Sequence, residues 1–500
     1  MTTSLVWFRD DLRVRDNPAL LAAAADSAAV ALYVLDEESE GVRPLGGAAR
    51  WWLHHALEDL RGELDRLGIP LLLRRGAAAG IVGGVAAALD AEAVYWNRRY
   101  GGPERQVDAE VKAKAEEDGR HAESFQASLL HEPWRIQTGQ GTPYKVFTPF
   151  WKTVSELDFR KPLDAPEPTQ RFRGRLPESE ELDGWELLPR RPDWAGGLRK
   201  AWTPGAAAGH ELLEDFVDGA LADYPQGRDR PAVRGTSRLS PYLRWGHLSP
   251  FQVGHAVAAR RGANHGEAVR TYLGELGWRE FCWHQLYHQP LLAERNLRPE
   301  FDAFPWERPG RKRSGNDGGA SPSGRNANRG GPSAAARVRA WQRGRTGVPL
   351  VDAGQRELWT TGWMHNRVRM VSASFLVKNL GIDWRVGEQW FWDTLVDADA
   401  ANNPASWQWV AGSGADAAPF FRIFNPLTQQ AKFDPEARYV SRWVPEYASP
   451  EYPEPIVDVK ESRQAALEAY QALREDNAPA RDKASRGRAS QGRTGRGRAG

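Results

Sequence analysis

Short apolar runs alternate with longer amphipathic stretches over the first 130 residues, and this alternation constrains the fold more than any other feature. Stretches of helical length, Ala48–Leu67 and Gly80–Leu89, separate the runs Leu5–Phe8, Ala29–Val34, Pro70–Leu73 and Ala93–Trp96. Fully apolar strands that alternate with helices are typical of a parallel sheet covered on both faces. We therefore predict an α/β domain over residues 1–130, Rossmann-like but without a GxGxxG loop.

The pattern changes after residue 130. Residues 131–205 are rich in proline, tryptophan and charge without clear periodicity, and we expect an interdomain connection. From 206 to 475 the period is helical, as in Glu211–Asp223, Ser249–Arg260, Glu267–His288 and Met364–Asn379, which predicts an all-α domain. The segments 308–335 and 476–500 have too few apolar residues to offset their ordering entropy, so we expect a disordered insert and a disordered tail.

Charge is distributed unevenly along the chain. The net charge is +2, but residues 308–345 contribute +9 and residues 476–500 contribute +5, so the remainder is at −12. Any nucleic-acid contact by the folded body must therefore come from a local patch. The two basic segments could add sequence-independent attraction to DNA, or could be solvated segments without a role.

Several classes of protein are excluded by simple counts. The longest uncharged apolar run, Gly76–Leu89, has 14 residues, whereas a membrane-spanning helix needs about 20. A single cysteine, Cys282, excludes an internal disulfide and any multi-cysteine metal site. No signal peptide is recognisable at the N-terminus. We expect a monomeric cytoplasmic protein with no membrane span and no metal.

Two stripes of residues predict a polar, aromatic cavity in the helical domain. Tyr272, Glu275, Trp278 and Arg279 fall at i, i+3, i+6 and i+7, so one helix face presents rings, an acid and a cation. The segment Thr236–Ser240 offers hydroxyls and a guanidinium that suit a phosphate, although such clusters are also common as helix caps.

The second stripe contains Asn366, Arg369 and Met370, at i, i+3 and i+4. A buried acid needs a cation or other donors, and Arg369 is the obvious partner for Asp397.

Six motifs resemble the photolyase/cryptochrome family, in the family's order and from residue 4 to about 455. They are VWFRDDLRVRDNPAL, TSRLSPYLRWG, ELGWREF, TGWMHNRVRM, IDWRVGEQWF and DADAANNPASWQWVAGSGADAAPFFRIFNP. The sequence is most similar to class I cyclobutane pyrimidine dimer photolyases. The resemblance implies an N-terminal antenna domain and a helical domain that binds a folded FAD.

Residue roles follow from the same resemblance. The implied FAD-binding residues are Tyr224, Thr236, Ser237, Arg238, Leu239, Ser240, Tyr272, Arg279, Arg369, Asp397, Asp399 and Asn403. Asn403 would face the flavin N5 atom, and Arg369 would pair with Asp397 beside the ring. The implied electron-transfer chain is Trp407, Trp384 and Trp306.

The resemblance also implies a DNA-binding set: Glu275, Trp278, Arg279, Asn366, Arg367, Met370 and Trp409. Photolyases flip their target out of the duplex, so Trp278 and Trp409 would stack on the flipped bases and Glu275 would bond to a dimer carbonyl. The expected activity is light-driven repair of cyclobutane pyrimidine dimers in damaged DNA by a deoxyribodipyrimidine photo-lyase.

Two alternatives remain. A cryptochrome-like photoreceptor without repair activity is disfavoured by Asn403, Met370 and the Glu275/Trp278 pair. A (6-4) photolyase is disfavoured because that group has histidine where Asn366 and Met370 stand. We also expect an antenna chromophore, methenyltetrahydrofolate or 8-hydroxy-5-deazaflavin, and Glu104 matches a glutamate of the folate type.

Overall fold

The structure, a computed structural model, describes residues 2–25, 27–168, 171–260, 262, 265–309, 332–416 and 421–477. Most of the expected insert, residues 310–331, and the expected tail from residue 478 lie outside the described residues. Within the described part of the chain, no helix is both long enough and apolar enough to span a membrane.

A five-stranded parallel sheet forms the core of the N-terminal domain. Its strands are β1 (Thr3–Phe8), β2 (Ala28–Leu35), β3 (Leu71–Arg75), β4 (Ala93–Asn97) and β5 (His121–Phe125), in the order β3-β2-β1-β4-β5. The register places Leu5 of β1 between Val30 of β2 and Val94 of β4. All eight residues of β2 are buried, because helices cover both faces of the sheet. The predicted α/β fold is confirmed.

The fifth strand is the one that the apolar pattern misses. β5 has the sequence HAESF, and only its alanine is fully buried. It lies at the edge of the sheet and pairs with β4 alone. An edge strand is partly solvated, so it does not need the continuous apolar run by which the other four are recognised.

The helices that cover the sheet are α1 (Pro18–Ala24), α2 (Gly47–Arg66), α3 (Ala78–Ala88) and α4 (Gly102–Glu117). The remainder are α5 (Phe147–Val154), α6 (Gly196–Ala201), α7 (Ala206–Asp215), α8 (Tyr224–Gly227), α9 (Ser240–Arg244), α10 (Pro250–Ala258), α11 (Gly266–His288), α12 (Ala334–Gln342), α13 (Pro349–Thr361), α14 (Asn366–Ser374), α15 (Trp384–Thr394), α16 (Asn402–Ala411), α17 (Pro426–Phe433), α18 (Arg438–Trp443) and α19 (Val459–Asp476).

The helical domain is all-α as predicted, with local differences. Wider π-helical turns, Phe216–Ala220 and Phe375–Asn379, continue α7 and α14. The expected connection 131–205 contains α5, α6 and two short 3-10 helices. Helix α12 begins at Ala334, inside the expected insert, because the Ser333 hydroxyl caps its first turn.

Sheet order also creates a crevice. Strand β1 is flanked by β2 on one side and β4 on the other, so the chain leaves β1 and β4 in opposite directions at the carboxyl edge. In open parallel sheets such a switch point is where ligands bind. The loops after these strands face the helical domain, where Arg244 of α9 pairs with Asp10 at 2.7 Å.

Candidate active site

A cavity of about 560 Å³ opens between α9, α11, α14 and α16, and we call it the large cavity. This volume lies within the usual range for small-molecule sites. The cavity brings together most of the predicted site residues, namely Tyr224, Ser237, Leu239, Ser240, Tyr272, Glu275, Trp278, Arg279, Asn366, Arg369, Met370, Asp397, Asp399, Asn403, Trp407 and Trp409.

An ion pair crosses one wall of the large cavity. Arg369 Nη1 and Nη2 donate to the two carboxylate oxygens of Asp397 at 3.1 and 2.8 Å. Arg369 Nε donates to Met364 O at 2.7 Å, and the Ser240 hydroxyl donates to Asp397 Oδ2 at 2.6 Å. The Asp397 side chain is only 2% exposed, and the fork of the guanidinium satisfies both of its oxygens. The expected partnership of Arg369 and Asp397 is therefore present.

Hydroxyl groups line the same cavity in fixed orientations. The Tyr272 hydroxyl donates to Ser237 Oγ at 3.0 Å, and Trp363 Nε1 donates to Ser240 Oγ at 3.2 Å. Burial raises the pKa of Tyr272 to about 12, so its hydroxyl stays a neutral donor near neutral pH. Uncharged hydroxyls beside a cation suit the phosphates and the polyol chain of a dinucleotide, so the donor set fits FAD.

Asn403, at the start of α16, is oriented by one neighbour. Its Nδ2 donates to the main-chain oxygen of Glu388 at 3.1 Å and to Glu388 Oε1 at 2.8 Å. Because both of these atoms can only accept, the amide nitrogen must face them, and Oδ1 is left for the cavity. Asp399 is held differently, since its Oδ1 accepts from the main-chain N–H of Ala401 and Asn402.

Glu275 has a partner that the sequence analysis did not identify. Arg228, just after α8, donates from Nη1 to Glu275 Oε1 at 2.6 Å and also lines the large cavity. Burial, the largest single effect, would lower the pKa of Arg228, but Glu275, Tyr224 and Asp229 together outweigh it and raise that pKa. The sequence around Arg228 is charged and aperiodic, so no local pattern indicates this contact.

Trp278 lies in an aromatic stack. The ring of Phe147, at the start of α5, lies 3.7 Å from the Trp278 ring at an interplanar angle of 10°. Phe147 comes from the segment expected to be a connection, so that segment supports a ring of the cavity wall without lining the cavity itself. Trp409 is less constrained, with Phe424 at 6.2 Å and the Arg422 guanidinium at 5.5 Å.

Arg279, which lies on α11 like Trp278, is held by two contacts. Its Nη1 donates to Ser128 O at 2.8 Å and lies 3.3 Å from Glu280 Oε1. Burial raises the pKa of Glu280 to about 7, and Arg279 partly opposes that effect.

Three predicted binding residues lie outside the lining of the large cavity: Thr236, Arg238 and Arg367. The Arg238 guanidinium is 4.3 Å from the ring of Trp202. Arg367 pairs with Asp229 at 2.7 Å. Both cations are thus held by protein partners, and the ligand roles of all three residues stay predictions.

The three predicted electron-transfer tryptophans belong to one apolar cluster. Trp407 lines the large cavity, whereas Trp384 is fully buried beyond it and donates from Nε1 to Asn296 Oδ1 at 2.9 Å. Trp306 is partly exposed at the edge of the cluster. Trp341, which the sequence analysis passed over, packs edge-on to Trp407 at 6.2 Å.

A second cavity of about 90 Å³ lies at the switch point of the sheet. Glu104 lines it together with residues after β1, β2 and β4. Several buried donors on its wall have no hydrogen-bond partner among the residues that the structure describes, and they include Trp7 Nε1, Trp283 Nε1 and Arg99 Nη2. Buried donors are rarely left unpaired, so the wall suits a ligand with several acceptor oxygens or nitrogens.

One group of side chains on α2 could offer ligands to a metal ion. The relevant atoms of His54, His55 and Glu58 lie within 4.8 Å of one another, although a metal-free hydrogen bond of 2.9 Å already joins His55 Nδ1 to Glu58. This group lies apart from both cavities.

Comparisons with known proteins agree with this architecture. A family model described as DNA photolyase matches residues 4–168, and another described as the FAD binding domain of DNA photolyase matches residues 272–451. The deoxyribodipyrimidine photo-lyase of Agrobacterium fabrum is 44% identical over 496 residues, which is 94% of this chain and 98% of that protein. Cryptochrome-1 of Arabidopsis thaliana is 35% identical over 466 residues, 89% of this chain and 63% of that protein.

Among solved structures, a bacterial class III photolyase from Agrobacterium tumefaciens superposes with a TM-score of 0.86 at 43% identity, covering 95% of this chain and 98% of that one. The fold and the matched models define a two-domain flavoprotein with an α/β domain and an FAD-binding domain. The chain belongs to the photolyase/cryptochrome family. The expected family, enzyme class and FAD-binding domain are confirmed. The expected placement in class I is not confirmed, because a class III structure is among the matches.

Proposed function

We propose that this protein repairs cyclobutane pyrimidine dimers in DNA by light-driven electron transfer, with FAD in the large cavity. The main support is that one cavity is lined both by most of the residues expected to hold FAD and by most of those expected to hold the lesion. The names of the photo-lyase relatives support the same reaction.

FAD would be held by the Arg369–Asp397 pair, by the hydroxyls of Ser237 and Ser240, and by the oriented amide of Asn403. Reduced FAD bound there would supply, on absorbing near-ultraviolet or blue light, the electron that opens the dimer and would take it back afterwards, so the net redox change would be zero. The ion pair keeps the guanidinium fixed, which avoids reorganisation during the reaction.

A flipped dimer would meet Trp278 on the face opposite Phe147. Stacking on an aromatic ring contributes about 1–3 kcal/mol per base, which is comparable to the few kcal/mol that unstacking costs. Asn366, exposed at the first turn of α14, and Arg228 would contact the lesion and its phosphate. Arg228 uses one donor on Glu275, so others remain for a phosphate oxygen.

The test uses the photoreduced holoprotein and an oligonucleotide that contains a thymine cyclobutane dimer. Blue light should restore the thymine absorbance, with no recovery in the dark. Trp278→Ala should weaken binding of the damaged strand while FAD stays bound. Trp359→Ala, which removes a 56% exposed tryptophan outside the cavity, should leave affinity unchanged.

Two outcomes would favour the alternatives. Photoreduction of FAD without repair of any lesion would favour a photoreceptor, for which the similarity to a plant cryptochrome is the supporting observation. Repair of a (6-4) photoproduct in place of the cyclobutane dimer would favour the second alternative.

We further propose that the second cavity holds the antenna chromophore, methenyltetrahydrofolate or 8-hydroxy-5-deazaflavin. Support comes from its place at the sheet switch point and from the unpaired donors on its wall. The two chromophores absorb at different wavelengths, so the absorption spectrum of the purified protein distinguishes them. Glu104→Gln should lower the chromophore content without lowering the FAD content.

A further inference from the structure

A buried carboxylate joins the walls of the two cavities. Glu388 on α15 is 3% exposed. On one side it accepts from Asn403, which lines the large cavity. On the other side its two carboxylate oxygens accept from Arg43 Nη1 and Nη2 at 2.7 and 3.0 Å, and Arg43 lines the second cavity. Three side chains thus form a continuous connection between the cavities.

Arg43 belongs to the N-terminal domain but is anchored on the helical one. Its guanidinium lies 4.1 Å from the ring of Trp392 and donates to Gln389 Oε1 at 2.8 Å. Trp392 also lines the second cavity, and its Nε1 donates to Pro44 O at 2.9 Å. A ligand in the second cavity therefore lies against the same wall that orients Arg43.

The bidentate pair has two consequences at the large cavity. It fixes the Glu388 carboxylate in one orientation, and that carboxylate determines which end of the Asn403 amide faces the cavity. It also neutralises a buried negative charge next to that amide, and a buried carboxylate without its cation is unfavourable.

We propose that Arg43 is a positioning residue for the flavin site. Through Glu388 it sets the orientation of Asn403 and the local charge, and it thereby couples ligand binding in the second cavity to the redox state of the flavin. The proposal rests on the proposed placement of FAD in the large cavity. Coupling of this kind is reciprocal, so a ligand that shifts the flavin equilibrium must bind the two redox states with different affinity.

The first experiment measures the midpoint potential of FAD in the holoprotein. Arg43→Met should make reduction less favourable by about tenfold, which is about 59 mV for a one-electron step, because a buried negative charge near the flavin loses its cation. Arg43→Lys should restore part of the potential. Arg50→Met is the matched control: Arg50 is 29% exposed, against 28% for Arg43, and it pairs with Glu37 instead of Glu388.

The proposal is supported if the potential falls in Arg43→Met, falls less in Arg43→Lys and is unchanged in Arg50→Met, and any other pattern overturns it. Asn403→Ser separates the two hypotheses. If it shifts the potential while Arg43→Met does not, FAD is correctly placed and only the role of Arg43 is wrong. If neither variant shifts it, the placement of FAD fails as well.

The second experiment tests reciprocity with methenyltetrahydrofolate as the probe. Its affinity for the holoprotein is measured by equilibrium dialysis with FAD oxidised and with FAD reduced. We expect a difference of at least about fivefold in the wild type and no difference in Arg43→Met. Equal affinities in the wild type would overturn the coupling, even if Arg43→Met changes the potential.

Discussion

Gly387 on α15 lies directly against the ring of Trp407, and an alanine there tests how firmly that ring is held. A Cβ at this position would lie 2.1 Å from Cη2 of Trp407 and 2.7 Å from Cδ2 of Leu376. Trp407 is 2% exposed, with Phe391 edge-on at 5.0 Å and Trp341 at 6.2 Å. The ring cannot move aside without displacing its neighbours, so the added methyl must shift either the ring or the helix.

The expected magnitude combines two opposing effects. Overpacking of a well-packed core costs about 1–3 kcal/mol, whereas replacing glycine by alanine inside a helix contributes about 0.5–1 kcal/mol of stability. The difference between the two effects spans about 0–2.5 kcal/mol. Because the close approach is to a buried ring, we expect Gly387→Ala to lower the free energy of unfolding by about 1–2 kcal/mol, in the upper part of that range. Because the displaced ring is the one predicted electron-transfer tryptophan of the three that lines the large cavity, photoreduction of FAD should slow as well.

Urea unfolding at equilibrium measures the first effect, and the rate of FAD reduction under blue light measures the second. Gly62→Ala is the matched control, because a Cβ at that position of α2 meets no atom of the described part of the chain within 4 Å. It should stabilise the protein by about 0.5–1 kcal/mol and leave photoreduction unchanged. If Gly387→Ala unfolds at the same urea concentration as the wild type and is photoreduced equally fast, our account of the Trp407 packing is refuted.

Three further predictions concern electron transfer, pH and cofactor retention. Trp384→Phe should slow photoreduction of FAD at least tenfold in a folded protein, as followed by absorption after a light pulse, and an unchanged rate would remove Trp384 from the path. Burial lowers the pKa of His247 from its ordinary value of 6.5 to about 4. The neutral side chain therefore contributes its full stability to the fold above pH 6.5, and this contribution is lost as the pH falls from 6.5 toward 4. His247→Gln can keep the contacts with Trp52 and Leu12, and should reduce the loss of unfolding free energy over this pH range by about 3 kcal/mol; an equally steep urea-monitored pH profile would contradict this. Asp397→Asn leaves Arg369 without its anion and should weaken FAD binding at least tenfold, as measured by the flavin released on dilution. Unchanged retention of FAD would show that the pair does not hold the cofactor.

An element of the fold can be predicted from the sequence when its own short segment has a characteristic pattern of apolar residues. β2 is fully buried and therefore continuously apolar, so its sequence alone indicates a strand. β5 is a solvated edge strand and has no such signal. The π-helical turn Phe216–Ala220 continues a helical pattern, and the period of the sequence does not distinguish the two kinds of turn.

The contacts of the candidate site also divide into those that a local pattern predicts and those that it does not. Tyr272, Glu275 and Trp278 lie on one helix, and helix geometry alone places them on one face, so their common cavity was predictable. The contacts of Arg228 with Glu275 and of Phe147 with Trp278 join residues 47 and 131 positions apart. Such pairs depend on how distant elements pack, and neither periodicity nor motif spacing contains that information.

The charges around the large cavity change the expectation for how DNA is recognised. Outside the two basic segments the chain has a net charge of −12, which predicts that contact with nucleic acid comes from a local patch of cations. Yet Arg228, Arg367 and Arg369 each pair with an acid, and a paired cation adds little to long-range attraction. These arginines can still donate hydrogen bonds at short range, because a guanidinium has five donors. If the proposed function holds, selection of the lesion would depend on stacking and directed hydrogen bonds inside the cavity. General attraction to phosphates would then draw on other cations of the chain, of which the two basic segments hold the greatest excess.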